Sequence, residues 1–198
     1  GAPIPRTGSN RQAVQIDGDR IVVIDDNGVR IFEEDGLAKG APITRTGTGR
    51  QQVVISGDRI IIIDDNQVRV FDRNGYPVGA PVTHNGTMRQ TVQTTSDRIL
   101  ITDGNSTQIF DRGMFPQGGP IVKTGTDAQT VVVSEDRIVI IDQDRVRIFD
   151  KFGYPQGAPI LKTGTETQRV RIDDAIRWLD EAAAKFHKAA ELQPGMFG

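Results

Sequence analysis

Four times the chain runs a short apolar block into an acidic stop: "RIVVID" from Arg20, "RIIIID" from Arg59, "RILITD" from Arg98 and "RIVIID" from Arg137. Four apolar residues bounded by turn-formers are too few for a helix and fit a strand buried on both faces. The neighbouring segments alternate instead. In "RQAVQI", Gln12, Val14 and Ile16 share one face under the period-two rule. "GAPIPRT" precedes this segment, and "VRIFEE" follows the apolar block. The joints "DGD", "SGD", "TSD" and "SED", and then "DDNG", "DDNQ", "DGNS" and "DQDR", are rich in Gly, Asp, Asn and Ser and suit hairpins. Each unit is therefore expected to be an antiparallel meander of four strands, here called d, a, b and c in chain order.

The pattern is periodic. "GAPI" at Gly1 returns as "GAPI" at Gly40, "GAPV" at Gly79, "GGPI" at Gly118 and "GAPI" at Gly157, 39 residues apart each time. Gln12, Gln51, Gln90, Gln129 and Gln168 share one offset, and Phe32, Phe71, Phe110 and Phe149 another. The units are 1–39, 40–78, 79–117 and 118–156, with an incomplete fifth at 157–172.

A four-stranded meander of this length, repeated head to tail, resembles the blade of the β-propeller repeat superfamily. The resemblance is to the superfamily alone, because the Trp-Asp ending of WD repeats is absent. It implies an all-β fold in which neighbouring blades sandwich strand b, so that both of its faces are apolar. A blade would then consist of a, b and c plus the d strand of the next unit. A β-trefoil has too few units to fit, and a β-solenoid needs parallel connections in place of tight hairpins. The count gives five d and five a strands but only four b and four c. The expected architecture is four complete four-stranded blades and an incomplete fifth unit, completed by the tail or by a second chain.

The tail reads as an α-helix over 173–193. Asp173 or Asp174 can N-cap it, Ile176, Leu179, Ala183, Phe186 and Ala190 fall on one face, and Pro194-Gly195 ends it ahead of the last residues, to 198. It is expected either to dock over the incomplete blade with Trp178 buried, or to mediate assembly into a homo-oligomer through Ile176, Trp178, Leu179 and Phe186.

Composition changes this picture only by exclusion. A formal charge of −2 lacks the basic excess of a nucleic-acid binder. No apolar run approaches the roughly 18 residues of a membrane span. There is no cysteine, which removes disulfides and thiolate metal sites. The chain begins at Gly1 without a signal-peptide pattern, as a processed or trimmed product would. With two histidines and no nucleophile–base arrangement, a non-enzymatic role without cofactor or metal is expected. A single active site, the alternative, belongs where the repetition breaks, at His84, Asn85, Met88, Thr102, Gly104 and Gln108 of the third unit. Calcium at the acidic hairpins is disfavoured, because such short loops offer too few oxygens.

Two sets of equivalent residues remain as binding candidates. Basic side chains end strand d at Arg6, Arg45, Lys123 and Lys162, with His84 at the same offset. They are expected to pair with Asp25, Asp64, Asp103 and Asp142, or alternatively to form an anion-binding ring. Asp19-Arg20 and its copies, on the opposite rim, suggest pairs between neighbouring blades. The c–d loops place Leu37, Tyr76, Phe115 and Tyr154 at one offset, three of them before proline. Those aromatics either pack on their own prolines or stack on a protein or glycan ligand, as in a multivalent lectin. The leading expectation is a binding or scaffolding module.

Overall fold

The computed structural model describes residues 4–5, 7, 12–47, 51–84, 89–127 and 129–163, and among them every regular element is a strand. The expected helix over 173–193, with Ile176, Trp178, Leu179 and Phe186, lies outside the described residues, as does strand a of the fifth unit.

The strands form four antiparallel sheets of four, each in chain order. The first contains β1 (Ala13–Asp17), β2 (Arg20–Asp25), β3 (Gly28–Glu33) and β4 (Ala38–Thr44), and the second β5 (Gln52–Ser56), β6 (Arg59–Ile63), β7 (Gln67–Asp72) and β8 (Val82–Thr83). The third contains β9 (Thr91–Thr94), β10 (Arg98–Thr102), β11 (Ser106–Asp111) and β12 (Ile121–Val122), and the fourth β13 (Thr130–Val133), β14 (Arg137–Ile141), β15 (Arg145–Asp150) and β16 (Ile160–Leu161). Every sheet thus takes its a, b and c strands from one unit and its d strand from the next, as the repeat pattern predicts. The outer strands β8, β12 and β16 have two residues each, which leaves little open edge for unwanted pairing.

The chain divides into two compact units, Gly1–Lys123 and Thr124–Gly198. In the first, the apolar b strand behaves as its sequence requires. Successive side chains of β6 point to opposite faces. Ile60 and Ile62 join Val22, Val29, Ile31 and Ile43 of the first sheet in one core. Ile61 and Ile63 join Ile99, Ile101 and Phe110 of the third sheet in another. A run of isoleucines is needed because this strand builds two cores at once. Each fully buried isoleucine contributes about 1.5–3 kcal/mol. The second compact unit has its own apolar cluster around Val139, Val146 and Ile148, with Val132, Ile141 and Ile160 packed against it.

Candidate functional site

The c–d loops of the second, third and fourth units are built on one repeated network, whereas in the first strand c ends on Glu33 and the Leu37 amide donates to Asp35 Oδ1 at 2.9 Å. In the three shared loops strand c ends on an aspartate whose Oδ1 accepts the amides two and four residues ahead. Asp72 takes those of Asn74 (2.8 Å) and Tyr76 (2.9 Å), and Asp111 those of Gly113 (2.8 Å) and Phe115 (2.9 Å). Asp150 takes those of Phe152 and Tyr154, both at 2.9 Å. The aspartate N–H donates back to the aromatic residue's carbonyl, at 2.8 Å to Tyr76, 3.0 Å to Phe115 and 2.9 Å to Tyr154. The following prolines, Pro77, Pro116 and Pro155, bridge to Phe71, Phe110 and Phe149. Backbone pinned on both sides leaves the side chain nowhere to go but out. Tyr76, Phe115 and Tyr154 are 65%, 69% and 63% exposed, and Leu37 in the first loop is 64% exposed. Folding onto the neighbouring proline, the alternative reading of these rings, therefore leaves most of their surface open.

The tight turn requires a left-handed residue before the aromatic, supplied by Gly75 and Gly153 with φ of 85° and 87°. The third unit places Met114 there instead, at φ 65°, and buries its side chain in the core between the second and third sheets.

The opposite rim corrects the expected ion pairing. Residues at the end of strand d are held by their own backbone. The amides of Arg45, His84, Lys123 and Lys162 donate to the carbonyls of Asn27, Asn66, Asn105 and Asp144 at 3.0, 2.9, 2.8 and 2.8 Å. Arg45 sends its guanidinium to the Asp26 carbonyl at 3.4 Å, and Arg6 lies outside the described residues. The buried carboxylates pair with arginines of strand c. Asp25 meets Arg30 at 3.0 Å, Asp64 meets Arg69 at 2.7 Å and Asp142 meets Arg147 at 2.7 Å. Side chains of the d–a turn complete each cluster. Thr46 Oγ1 and Gln51 Nε2 donate to Asp64 at 2.5 and 2.7 Å, Gln129 Nε2 donates to Asp142 at 3.1 Å, and Thr7 donates to Asp25. The guanidinium carbon of each arginine stands 5.6–5.7 Å from the ring centroid of the phenylalanine two residues on. Burial pushes the Asp25 carboxyl up, but the hydrogen bonds from Thr7 and the Asn27 amide, together with the Arg30 charge, outweigh it and hold the carboxyl below its ordinary value. The sequence shows only that "VRIF", "VRVF" and "VRIF" put Arg and Phe on one strand face, and the third unit writes "TQIF".

The Asp19–Arg20 rim does join neighbouring sheets, though with other partners. Arg73 reaches Asp19 at 2.9 Å, and Arg112 reaches Asp58 at 3.1 Å. Arg20 donates to the Gly57 carbonyl at 2.5 Å, and Arg59 to the Arg112 carbonyl at 2.8 Å. At Asp58 burial raises the carboxyl, yet the Arg112 hydrogen bond and the charges of Arg59 and Arg112 bring it below its ordinary value.

No family model matches the chain, and no curated protein matches it in sequence. Solved structures do match. Hsv2 of Kluyveromyces lactis, with its complete loop 6CD, aligns at 9% identity and a TM-score of 0.51, over 69% of this chain and 46% of its own. Dihydro-heme d1 dehydrogenase NirN, in complex with DHE, aligns at 12% and 0.52, over 76% and 37%. BamB of Moraxella catarrhalis aligns at 14% and 0.46, over 72% and 49%. Hsv2 is a β-propeller protein, and its likeness joins the four four-stranded antiparallel sheets found here. The repeats are β-propeller blades. The chain spans about half or less of the length of these structures.

In the third blade the departures from the repeat answer one another. Thr102 and Thr107, both buried where the second blade has Ile63 and Val68, share a hydrogen bond of 2.9 Å. Gln108 stands in place of the arginine and donates to the carbonyls of Ile109 (3.2 Å) and Gly118 (3.4 Å). Asp103, left without that arginine, accepts the amides of Asn105 (2.8 Å) and Ser106 (3.1 Å). Gly104 belongs to the same hairpin, while Asn85 and Met88 lie outside the described residues. Among the described residues no group of three or more His, Asp or Glu is gathered as for a metal ion.

Proposed function

We propose that the chain is a non-enzymatic, multivalent binding module that uses the outer ends of its c–d loops. One observation carries the reading: the same hydrogen-bonded loop holds an exposed aromatic at Tyr76, Phe115 and Tyr154, each more than 60% open to solvent. A large apolar ring fixed by its backbone loses little freedom on binding, so it makes an efficient anchor. One such ring contributes modestly, about 0.5–1.5 kcal/mol in a stacked contact. Repetition along a ligand that itself repeats raises overall avidity by about 10²–10⁴.

The ligand class that fits is a protein segment presenting flat, weakly polar faces such as prolines. The alternative is a glycan whose sugar rings stack on the same aromatics, which would make the chain a multivalent lectin. The surplus of d and a strands over b and c strands supports a second reading, self-assembly through 157–198. The assay is direct. Surfaces carrying proline-bearing peptides or oligosaccharides are tested for retention of the intact chain, of a Tyr76→Ala/Phe115→Ala/Tyr154→Ala variant and of a chain ending at Ile172. Loss in the triple variant with retention by the shortened chain supports the loop site. Equal retention of intact and triple-variant chains removes it. A native mass that halves or quarters on shortening supports assembly.

A further inference from the structure

Two successive blade junctions in the first compact unit use equivalent residues differently, and the difference exposes a binding seat. Between the second and third blades, Arg112 is inserted and its side chain is only 18% exposed. Its guanidinium donates to Ser56 Oγ (3.0 Å), Asp58 Oδ1 (3.1 Å), the Thr95 carbonyl (3.4 Å) and the Ser56 carbonyl. Its own carbonyl accepts Arg59 Nε at 2.8 Å. An arginyl residue thus fills this junction with both its guanidinium and its main chain.

Between the first and second blades the corresponding arginine is Arg73, and it is turned outward. Its side chain is 47% exposed and, among the described residues, bonds to Asp19, at 2.9 and 3.0 Å. A cavity of about 250 Å³ stands here, lined by Asp17, Gly18, Asp19, Arg20, Asp58 and Arg73 among others. Its acceptors repeat those that hold Arg112. Asp17 takes the place of Ser56 and presents a carboxylate where the next junction has a hydroxyl, Asp19 takes that of Asp58, and the Ser56 carbonyl that of Thr95; Asp17 Oδ2 already accepts from Arg20 Nη2 at 2.5 Å and Asp19 from Arg73, so an incoming guanidinium would share these carboxylates. The second half of the seat is also open. Arg20, the counterpart of Arg59, is 4% exposed, and its Nη1 is buried with no hydrogen-bond partner among the described residues. A buried guanidinium nitrogen without an acceptor costs free energy, which an acceptor arriving in the cavity would recover. Arg59 in the same position donates to the carbonyl of the inserted arginine, though through Nε rather than Nη1.

We propose that the cavity between the first and second blades binds an arginine residue of a partner polypeptide, its guanidinium meeting Asp17 and Asp19 and its backbone carbonyl accepting from Arg20. The carboxylate of Asp17 makes the contact charge-assisted and favours a planar, forked donor over a lysine ammonium. This site is separate from the aromatic loops and stands or falls apart from them.

The test uses the whole chain, labelled with ¹⁵N, and the probe acetyl-Gly-Arg-Gly-amide. Saturable shifts of the Gly18, Asp19, Gly57 and Asp58 amides are expected, absent with the isosteric citrulline peptide. Asp17→Ser installs the residue found at the next junction but also removes the ion-pair partner of Arg20, so its amide spectrum is first compared with that of the native chain; where the fold is kept it should weaken the probe about tenfold through loss of the charged acceptor, and Asp17→Asn serves as the second variant. Arg73→Ala should bind at least as well as the native chain. No shift in the native chain, equal shifts with citrulline, an unchanged affinity in Asp17→Ser, or binding gained only in Arg73→Ala would each overturn the proposal, the last by showing that the seat belongs to Arg73 itself.

Discussion

Replacing Arg69 by glutamine copies into the second blade what the third blade has at Gln108, without the adjustments that accompany it there. The Asp64 side chain is 1% exposed, and its Oδ2 accepts from Arg69 at 2.7 Å. Removing one partner of a buried ion pair costs about 3–5 kcal/mol, because the remaining charge is stranded. Two features set the value within that range. Thr46 and Gln51 continue to donate to Asp64, which moves the cost toward the lower end. The guanidinium over Phe71 at 5.6 Å is also lost, which adds about 0.5–1 kcal/mol. The expected loss is therefore about 3–4 kcal/mol, more than two decades in the folding equilibrium. Urea denaturation read from the amide resonances of β6 isolates the first compact unit. Arg69→Gln with Asp64→Asn should recover at least about 1.5 kcal/mol relative to the sum of the single changes. A single-variant loss below about 1 kcal/mol, or additive single changes, would refute the claim that a buried ionised pair stabilises this blade.

Ile61→Ala should cost about 2–5 kcal/mol by urea midpoint, whereas Ile61→Val, which matches Val22 and Val139 in other blades, should cost about 0.5–1.5 kcal/mol; equal effects would contradict the two-core account of β6. Gly79 has φ 67°, and a Cβ there would stand 2.4 Å from Met114 Cβ, so Gly79→Ala should cost more than about 2 kcal/mol and recover partly when combined with Met114→Gly. Thr107→Val strands the Thr102 hydroxyl and should lose about 1–3 kcal/mol, while Thr102→Ile with Thr107→Val should be neutral or stabilising; a double variant worse than the single one would count against the pairing. Asp25 and Asp58 have carboxyls held below their ordinary value of 3.8, so their contribution is present above that value and lost as pH falls through the lower folded value. The urea midpoint should accordingly fall only below about pH 4, and a midpoint that rises on acidification would reverse the sign of this linkage.

The sequence made the strands legible because the physics that sets them is local and repeated. An apolar run such as that from Ile60 to Ile63 has one economical explanation, burial on both faces, and the 39-residue period assigns the same explanation to each unit. The exchange of strand d between units was likewise legible from its order in the repeat. The ion-pair partners were not. Arg45 and Arg69 are both near Asp64 by topology, and choosing between them requires knowing that β7 lies beside β6 with Ile62 opposite Arg69. That register turns Arg69 onto the face of Phe71, where it reaches back to the carboxylate. Exposure of the aromatics was equally hidden, because Tyr-Pro in a loop can fold inward or outward. What decides is the pair of amides captured by Asp72, a contact made across the turn by a residue assigned to the strand.

The third blade bears on where function resides. Its departures could mark a singular site, yet several of those among the described residues answer one another. The hydroxyls of Thr102 and Thr107 satisfy one another, the carboxylate of Asp103 is absorbed by turn amides once Gln108 replaces arginine, and Met114 offsets its left-handed backbone by entering the core that Gly79 leaves room for. The buried differences are thus accounted for by packing, while the loop that carries Phe115 keeps the same hydrogen bonds as those of Tyr76 and Tyr154. Core changes beneath loops that keep the same hydrogen bonds are what a repeated surface site permits, since its ligand meets only the loops. The hydrogen bonds shared by the loops of Tyr76, Phe115 and Tyr154 are the reason for proposing binding at the aromatics.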